Sequence, residues 1–397
     1  MSAAAAIVFW VLLALVVYVY LGYPVCLWLL TRVRSRPIRR ADIRPPVTLI
    51  ISAFNEEAAI GRKLENALGL DYPADRLDVL VVSDGSTDGT DRIVEACRDP
   101  RVRLLRLPGR QGKTAGLNLA VAEARGEIVA FSDANILYRE DTLRQLVAGF
   151  ADPEVGCVTG DARYVAHEAS AAHRQEAAYW SYEQQIRCLE SRLGSTVGGD
   201  GAIFAIRKRL YAPLPPDAIN DLVVPLQIVA RGFRAVFEPA AIGHEESAGR
   251  FGGEFRRKRR IVNRSWRGVL STREVLDPRR VGLFAWQVWS HKVLRWWVLP
   301  CLTGAAVASL LAFQRGAVYR AAALGFVLTL LLAGAGAACR TRRGRLAALA
   351  QAAFYFYLVN VASVLGILAA LRGRVDTVWT PERTERLHGE AGHPARP

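Results

Sequence analysis

Long uncharged segments occupy both ends of the chain, whereas shorter apolar runs alternate with polar ones in the middle. Residues 3–30 carry no charged side chain and are long enough to cross a bilayer core of about 30 Å as one helix. Three more uncharged segments lie towards the other end, at 297–313, 321–339 and 346–371. We therefore predict an N-terminal transmembrane helix over 1–32 and C-terminal transmembrane helices over 297–371.

Between these apolar zones, residues 45–275 read as a separate domain with a regular alternation. Strand-like runs occur at VTLIISAF, LDVLVVSD, VRLLRLP and EIVAFSD, and helix-like segments separate them. This order predicts an α/β fold, in which helices cover a mainly parallel, Rossmann-like sheet. Folds of this kind bind their ligands at the carboxyl ends of the strands.

Polar side chains stand at three of these strand ends. Asn55 and Glu57 follow the first strand, Asp84 the second, and Asp133 and Asn135 the fourth. A single acid at such a place is usually a helix cap, but carboxylates and amides at three converging strand ends favour a binding site. Asp133 and Asn135 alone could also be turn residues, because both types favour turns.

The segment LPGRQGKT resembles a P-loop only at its end. Gly112, Lys113 and Thr114 match the last three residues of the motif, but its first glycine would fall on Leu107. We interpret the segment as a flexible loop in which Lys113 serves as a cation for a phosphate or sugar group. A P-loop ATPase is the alternative, and ATP binding that Lys113→Ala abolishes would support it.

The net charge and the cysteines exclude some kinds of function and site. The formal net charge is +15, and the basic run TRVRSRPIRR follows the first apolar segment. The positive-inside rule then places the next residues in the cytoplasm, and basic charge beside membrane segments argues against nucleic-acid binding. The six cysteines include no C-x-x-C pair, so we expect neither a zinc site nor a disulfide framework.

Two further segments flank the C-terminal apolar zone. Residues 280–297 mix Trp with His, Lys and Arg, which suits an amphipathic helix in the membrane interface. An ordinary amphipathic surface helix is the alternative. Residues 372–397 form a polar tail.

The motifs in this order resemble those of the family 2 inverting glycosyltransferases, which have a GT-A domain. The resemblance rests on ISAFNEEAAI, VVSDGSTDGT, GKTAGLNLA and AFSDANILY, and it continues through GGDGAIFAIRK to EFRRKRRIVNRSW. The flanking apolar segments are similar to those of the membrane-integrated branch, which includes chitin, cellulose and hyaluronan synthases. The resemblance implies a GT-A glycosyltransferase domain over 45–275.

The resemblance also implies a donor site. Ala53, Asn55 and Glu57 would line the nucleotide pocket, and Asp84 would contact the base or ribose. Carboxylates and amides suit these contacts because they accept hydrogen bonds from base N–H groups and ribose hydroxyls.

Asp133 and Asn135 occupy the D-x-D position of the family, where Mg²⁺ or Mn²⁺ would bridge the nucleotide diphosphate through oxygen ligands. Asn135 supplies a neutral amide instead of the usual second carboxylate. We therefore expect weaker metal binding from the protein itself.

Asp221, in AINDLVVPL, matches the catalytic aspartate of the family. The resemblance implies that it is the general base that takes the proton of the acceptor hydroxyl. On local grounds the same residue is a plausible helix N-cap, and the two roles are compatible.

Arg257 and Arg260 lie where the family has Q-x-x-R-W, although Arg257 replaces Gln and Ile261 replaces Trp. Arginine suits diphosphate oxygens. The alternative is a basic helix on an anionic membrane surface. The partial match argues against processive synthesis.

Together these features predict a multi-pass inner-membrane glycosyltransferase with a cytoplasmic catalytic domain. It would transfer a sugar from a nucleotide-sugar, for which we expect a UDP-sugar, to a hydroxyl of a polysaccharide or lipid acceptor. A competing prediction is a transporter or scaffold with a degenerate, non-catalytic nucleotide-binding domain, and Asn135 is its best support.

Overall fold

The computed structural model describes residues 2–165, 171–246, 251–339 and 344–374. Most of the predicted polar tail therefore lies outside the described residues. Within these ranges the middle of the chain forms one eight-stranded sheet, and apolar helices occupy the two ends.

The strands of this sheet are numbered in chain order. They are β1 (Val47–Ala53), β2 (Leu77–Ser83), β3 (Val102–Arg106), β4 (Ile128–Asp133), β5 (Ile136–Tyr138), β6 (Val155–Val165), β7 (Ile203–Arg207) and β8 (Arg234–Glu246).

The α-helices are numbered in the same way. They are α1 (Ser2–Val17), α2 (Tyr23–Val33), α3 (Glu57–Leu68), α4 (Thr90–Ala96), α5 (Lys113–Glu123), α6 (Thr142–Ala148), α7 (Ala171–Leu193), α8 (Asn220–Ala230), α9 (Phe251–Ser271), α10 (Pro278–Val281), α11 (Leu283–Val288), α12 (Leu294–Trp296), α13 (Val298–Leu311), α14 (Ala317–Ala338) and α15 (Arg345–Leu371).

The sheet has the strand order β3-β2-β1-β4-β7-β6-β8-β5. Strands β1 to β4 run parallel, β7 is antiparallel to both of its neighbours, and β8 is parallel to β6. The start of β7 therefore meets the carboxyl ends of β1, β2, β4 and β8 at one edge. The predicted α/β fold with a mainly parallel sheet is confirmed.

Apolar side chains on both faces explain why these runs form buried strands. Successive residues of a strand point to opposite faces, so Ile50 joins the apolar cluster on one face, and Leu49 and Ile51 join the other. All three side chains are fully buried. Strands that are covered on both sides read as continuous apolar runs, as β1 does.

Three helical segments of the described ranges are long and apolar enough to cross a membrane: Ala3–Val33, Ala317–Ala338 and Arg345–Leu371. The first comprises α1 and α2, which a π-helical turn at Tyr18–Gly22 joins. A fourth span is possible if Leu283–Trp296 and Val298–Leu311 act together, although they meet at 62°. Val298–Leu311 lies in the first predicted C-terminal segment, 297–313, and Leu283–Trp296 lies in the segment predicted as an interfacial helix.

Helix α9 packs closely against α15. A Cβ atom on Gly366 of α15 would lie 2.6 Å from the carbonyl oxygen of Arg259 and 3.1 Å from the nitrogen of Asn263. The Asn263 side chain also donates to the Gly366 carbonyl oxygen at 3.1 Å. The basic helix is therefore docked on the last apolar helix of the described chain.

A buried charge network ties the N-terminal helices to the sheet domain. His291, in a π-helical turn between α11 and α12, is 2.8 Å from Glu190 through Nδ1 and 2.9 Å from Glu183 through Nε2. Both carboxylates belong to α7, and Glu190 also accepts from the Tyr23 hydroxyl of α2. Each ring nitrogen of His291 thus faces a carboxylate of α7.

The network predicts a large loss of stability for His291→Leu. The substitution leaves Glu183 and Glu190 buried without their shared cation, which typically costs about 3–5 kcal/mol. Thermal unfolding in detergent, followed by tryptophan fluorescence, should show a clearly lowered Tm.

A matched control breaks an exposed ion pair instead. Arg144→Ala removes the contact with Asp71, whose side chain is 54% exposed. Exposed pairs contribute about 0–1 kcal/mol, so this Tm should stay near that of the wild type. Equal Tm values for the two variants would show that the network does not hold the helices.

Candidate active site

The residues predicted to bind the nucleotide-sugar connect two neighbouring loops at the carboxyl ends of the parallel strands. The Ala53 carbonyl oxygen accepts from the Asp84 backbone N–H at 3.0 Å. Asn55, which has a left-handed φ of 52°, accepts from the Thr87 N–H at 2.8 Å through Oδ1. Glu57 accepts from the Gly89 N–H at 2.8 Å. These residues tie the loop after β1 to the loop after β2.

Asp84 holds the loop that resembles a P-loop. Its carboxylate accepts from the backbone N–H groups of Gln111 at 2.7 Å and Gly112 at 3.0 Å. Gly112 has a φ of 91°, which favours glycine. In a P-loop such N–H groups bind phosphate. Here two of them bind a carboxylate, which argues against the ATPase alternative.

Asp133, at the end of β4, is paired with the Lys113 ammonium at the start of α5. The side chains are 36% and 33% exposed, respectively. Lys113 Nζ also lies 3.4 Å from the carbonyl oxygen of Gly201. The structure therefore brings Lys113 and Asp133 together. They lie beside the segment before β7, residues 199–202.

Asp221 lies beside the same segment. Its backbone carbonyl accepts from the Gly199 N–H at 2.6 Å, and a Cβ atom on Gly201 would lie 3.6 Å from its carboxylate. The N-cap of α8 is Ile219, and Asp221 follows in the first turn. The predicted capping role of Asp221 is wrong.

The Asp221 carboxylate has spare capacity to accept a proton. Its Oδ1 atom is buried and meets no hydrogen-bond donor in the described part of the chain. Burial raises the pKa of Asp221, against the pull of Lys113, Lys292, Arg187 and Arg264. A carboxylate with a raised pKa and an unused oxygen is suited to general-base chemistry.

Two carboxylates that the sequence analysis did not single out complete this edge. Burial and the neighbouring Asp221 and Asp133 raise the pKa of Asp200 to about 6, against Arg187. Burial, Asp133 and Asp200 raise the pKa of Glu245 to about 7. Asp200 precedes its strand, so a search for acids that follow strands overlooks it.

Glu245, near the end of β8, is joined to the predicted metal ligand Asn135. The Asn135 amide nitrogen donates to Glu245 Oε1 at 3.0 Å. The amide nitrogen is thus engaged in a hydrogen bond, and the amide oxygen is the atom of Asn135 that can coordinate a cation.

The basic helix α9 borders the site. Arg257 lies 2.8 Å from Glu254 on the same helix, and its charge also lowers the pKa of Glu245. Arg264 donates to the Thr114 hydroxyl at 3.0 Å and to the Asp217 carbonyl oxygen at 3.1 Å. Arg260 belongs to the same helix. Part of the basic face therefore fastens α9 to the site.

The residues present fit a divalent cation that obtains most of its ligands from a diphosphate. Within the described ranges no three His, Cys, Asp or Glu side chains form a ready metal site. However, the Asp133 carboxylate already holds a cation, the Lys113 ammonium. One carboxylate and one amide oxygen are hard ligands of the kind that Mg²⁺ and Mn²⁺ take.

Comparisons with known proteins find similarity to glycosyltransferases. The family model for glycosyl transferase family 2 matches residues 48–214. A beta-monoglucosyldiacylglycerol synthase from Synechocystis sp. is 35% identical over 176 residues, which are 42% of this chain and 36% of that protein. An N-acetylglucosaminyltransferase from Rhizobium meliloti is 28% identical over 228 residues, 53% of each chain. The chain thus spans about a third to a half of the length of these relatives.

A solved structure covers more of the chain. A mannosyltransferase from Pyrobaculum calidifontis, in complex with GDP-Man and Mn²⁺, has a TM-score of 0.68 and 26% sequence identity. The match covers 92% of this chain and 99% of that one. It confirms the predicted GT-A fold with apolar helices at both ends.

The crowding of carboxylates predicts a pH-dependent effect of Asp200→Asn on stability. The folded protein keeps the Asp200 proton up to about pH 6, whereas an unfolded chain loses it near pH 4. Stability therefore falls as the pH rises through this window. Asparagine removes that loss, so the variant should be more stable than the wild type at pH 7.5, by up to about 3 kcal/mol.

Thermal unfolding in EDTA at pH 4.5 and pH 7.5 measures this difference. The Tm gain should appear only at the higher pH. Asp75→Asn is the control, because the Asp75 side chain is 82% exposed and its substitution should leave Tm unchanged at both pH values. A gain of equal size at both pH values would contradict the electrostatic explanation.

Proposed function

We propose that this chain is a family 2 glycosyl transferase that moves a sugar from a nucleotide-sugar to a hydroxyl of a polysaccharide or lipid, with inversion at the anomeric carbon. The observation that carries the proposal is the arrangement around the segment before β7. The Lys113–Asp133 pair lies beside this segment at Gly201, and Asp221 contacts it at Gly199. Asp221 Oδ1 meets no hydrogen-bond donor among the described residues.

We assign nucleotide-sugar binding to the residues that lie together at the carboxyl ends of the strands. Ala53, Asn55, Glu57 and Asp84 would form the nucleotide wall, which their loop-bracing bonds make rigid. Bound Mg²⁺ or Mn²⁺ at Asp133 and Asn135 would neutralise charge on the diphosphate.

Lys113 would turn from Asp133 towards the phosphate oxygens when the donor binds. Arg257 and Arg260 would contact the same diphosphate from α9. Their support is the position of α9 at the site and the effect of the Arg257 charge on Glu245.

Asp221 is our proposed general base. Its carboxylate would accept the proton of the acceptor hydroxyl as that oxygen attacks the anomeric carbon from the face opposite the diphosphate. Burial favours this role because it raises the proton affinity of the carboxylate.

We also propose an inner-membrane location with the 45–275 domain in the cytoplasm. The support comes from the three candidate spans and from the basic run after the first of them. Part of that run also forms ion pairs with the sheet domain, since Arg36 lies 3.0 Å from Glu154 and Arg40 lies 2.7 Å from Glu238. We further propose that the helix over 280–297 lies at the interface and that 297–371 enters the membrane.

The donor class is tested by nucleotide release. Membranes that contain the protein should release nucleotide from one member of a panel of UDP-glucose, UDP-N-acetylglucosamine and GDP-mannose. EDTA should abolish the release, and added Mn²⁺ or Mg²⁺ should restore it. Activity that persists fully in EDTA would overturn the metal assignment, and no release from any donor would favour the scaffold alternative.

The base assignment predicts a separation of catalysis from binding. Asp221→Asn keeps the shape of the side chain but cannot take the proton, so turnover should fall by about 10²–10⁴. Nucleotide affinity, measured by calorimetry with UDP or GDP and Mn²⁺, should stay near that of the wild type. Tm should change little, because no side-chain cap is lost.

Asp133→Ala is the matched comparison. It should lose metal-dependent nucleotide binding together with turnover. If Asp221→Asn folds, binds nucleotide and transfers sugar at a near-normal rate, the base must be another residue.

A further inference from the structure

We propose that Glu245 supplies the second carboxylate of the cation site, in place of the aspartate that Asn135 replaces. The inference rests on the proposed function, because it concerns the same cation. Asn135 has a neutral side chain, so Asp133 is the only carboxylate within the D-x-D position itself.

Strand pairing brings Glu245 to this position from a distant part of the chain. β5 begins directly after Asn135 and pairs antiparallel with β8, where Ile136 lies opposite Glu245. The Asn135 amide then reaches Glu245 Oε1 at 3.0 Å. The register of two strands thus places a carboxylate beside the amide, across 110 residues of sequence.

Like charges also lie close together at this position. Glu245 is partly buried and lies close enough to Asp133 and Asp200 for both to act on its charge. Neighbouring carboxylates disfavour one another in a buried place unless a cation compensates them. Lys113 pairs with Asp133, and Arg257 acts on Glu245 from α9. A divalent cation between Asp133 and Glu245 would relieve this repulsion directly.

A structural role for the same bond makes a different prediction. If the amide–carboxylate hydrogen bond only fixes the turn between β4 and β5, the charge of Glu245 should not affect cation binding. If Glu245 serves the cation, its negative charge matters and can be moved to the neighbouring position. Glu245→Gln separates the two roles, because glutamine can still accept the hydrogen bond from Asn135 but carries no charge.

The experiment measures Mn²⁺ affinity directly. Free Mn²⁺ is titrated by electron paramagnetic resonance against the full chain in detergent, with UDP in one series and GDP in the other. Glu245→Gln keeps the size of the side chain and removes its charge, and it should weaken Mn²⁺ binding by at least about tenfold. Asn135→Ala keeps both carboxylates and should weaken binding less.

The exchange variant combines Asn135→Asp with Glu245→Gln. It restores two carboxylates, and the glutamine amide can donate to the new carboxylate at position 135 where asparagine donated to Glu245. The hydrogen bond is therefore kept with its direction reversed, and Mn²⁺ affinity should return towards the wild-type value. Thermal unfolding of each variant in EDTA reports folding independently of the metal.

The outcomes separate this inference from the proposed function. Unchanged Mn²⁺ affinity in Glu245→Gln would overturn the role of Glu245 and leave the proposed function standing. Failure of the exchange variant to recover would also overturn it, since two carboxylates at these positions would then not restore the site. A wild-type protein that binds no Mn²⁺ with either nucleotide would overturn both.

Discussion

Repulsion between carboxylates is the constraint that the structure around the site has to meet. Asp133, Asp200, Asp221 and Glu245 share one edge of the sheet, and their charges act on one another. Such a cluster destabilises the folded chain unless cations are close to it. The surrounding structure supplies them from separate elements: Lys113 on α5, Arg187 on α7 and Arg264 on α9 all lower the pKa of Asp221. The sheet is therefore a rigid support that holds these like charges together.

Arg187 connects this site to the buried network that orients the apolar helices. Its guanidinium lies 3.4 Å from the Gly199 carbonyl oxygen and 3.8 Å from Glu183. Glu183 in turn contacts His291 and Arg295, from the bent helical segment that precedes α13. Burial alone would raise the pKa of Glu183, but His291, Lys292 and Arg295 hold it well below the usual value. One chain of charged contacts thus runs from the apolar helices to the segment that carries Asp200.

The sequence predicted the parts of this site that follow from strand periodicity. Asp84 and Asp133 end continuous apolar runs, so a parallel sheet had to bring them to one edge. Glu245 could not be placed in the same way, because its neighbour depends on the pairing of β5 with β8, and a three-residue strand has too little pattern to reveal its partner. Asp200 stands before an antiparallel strand, where the rule for parallel strands does not apply.

Local patterns were less reliable where tertiary packing decides the outcome. Asp221 resembled an N-cap, but α8 begins at Asn220 and the Asp221 backbone carbonyl is used by Gly199. The basic face of α9 left two alternatives open, diphosphate binding and a membrane surface. The structure adds a third use for that face: Arg264 and Arg267 hold the loop around Asp217.

The tight crossing of α9 and α15 at Gly366 has a consequence for how natural variants of this protein are interpreted. Position 366 lies on an apolar helix, where alanine, valine or leucine would ordinarily be conservative replacements. Any side chain there would meet the α9 backbone at Arg259 and Asn263, and α9 would have to shift along with the arginines it carries. A replacement that is neutral on a hydropathy scale would therefore disturb the proposed donor pocket from a distance. A screen for inactive alleles would then recover it beside substitutions of the carboxylates themselves.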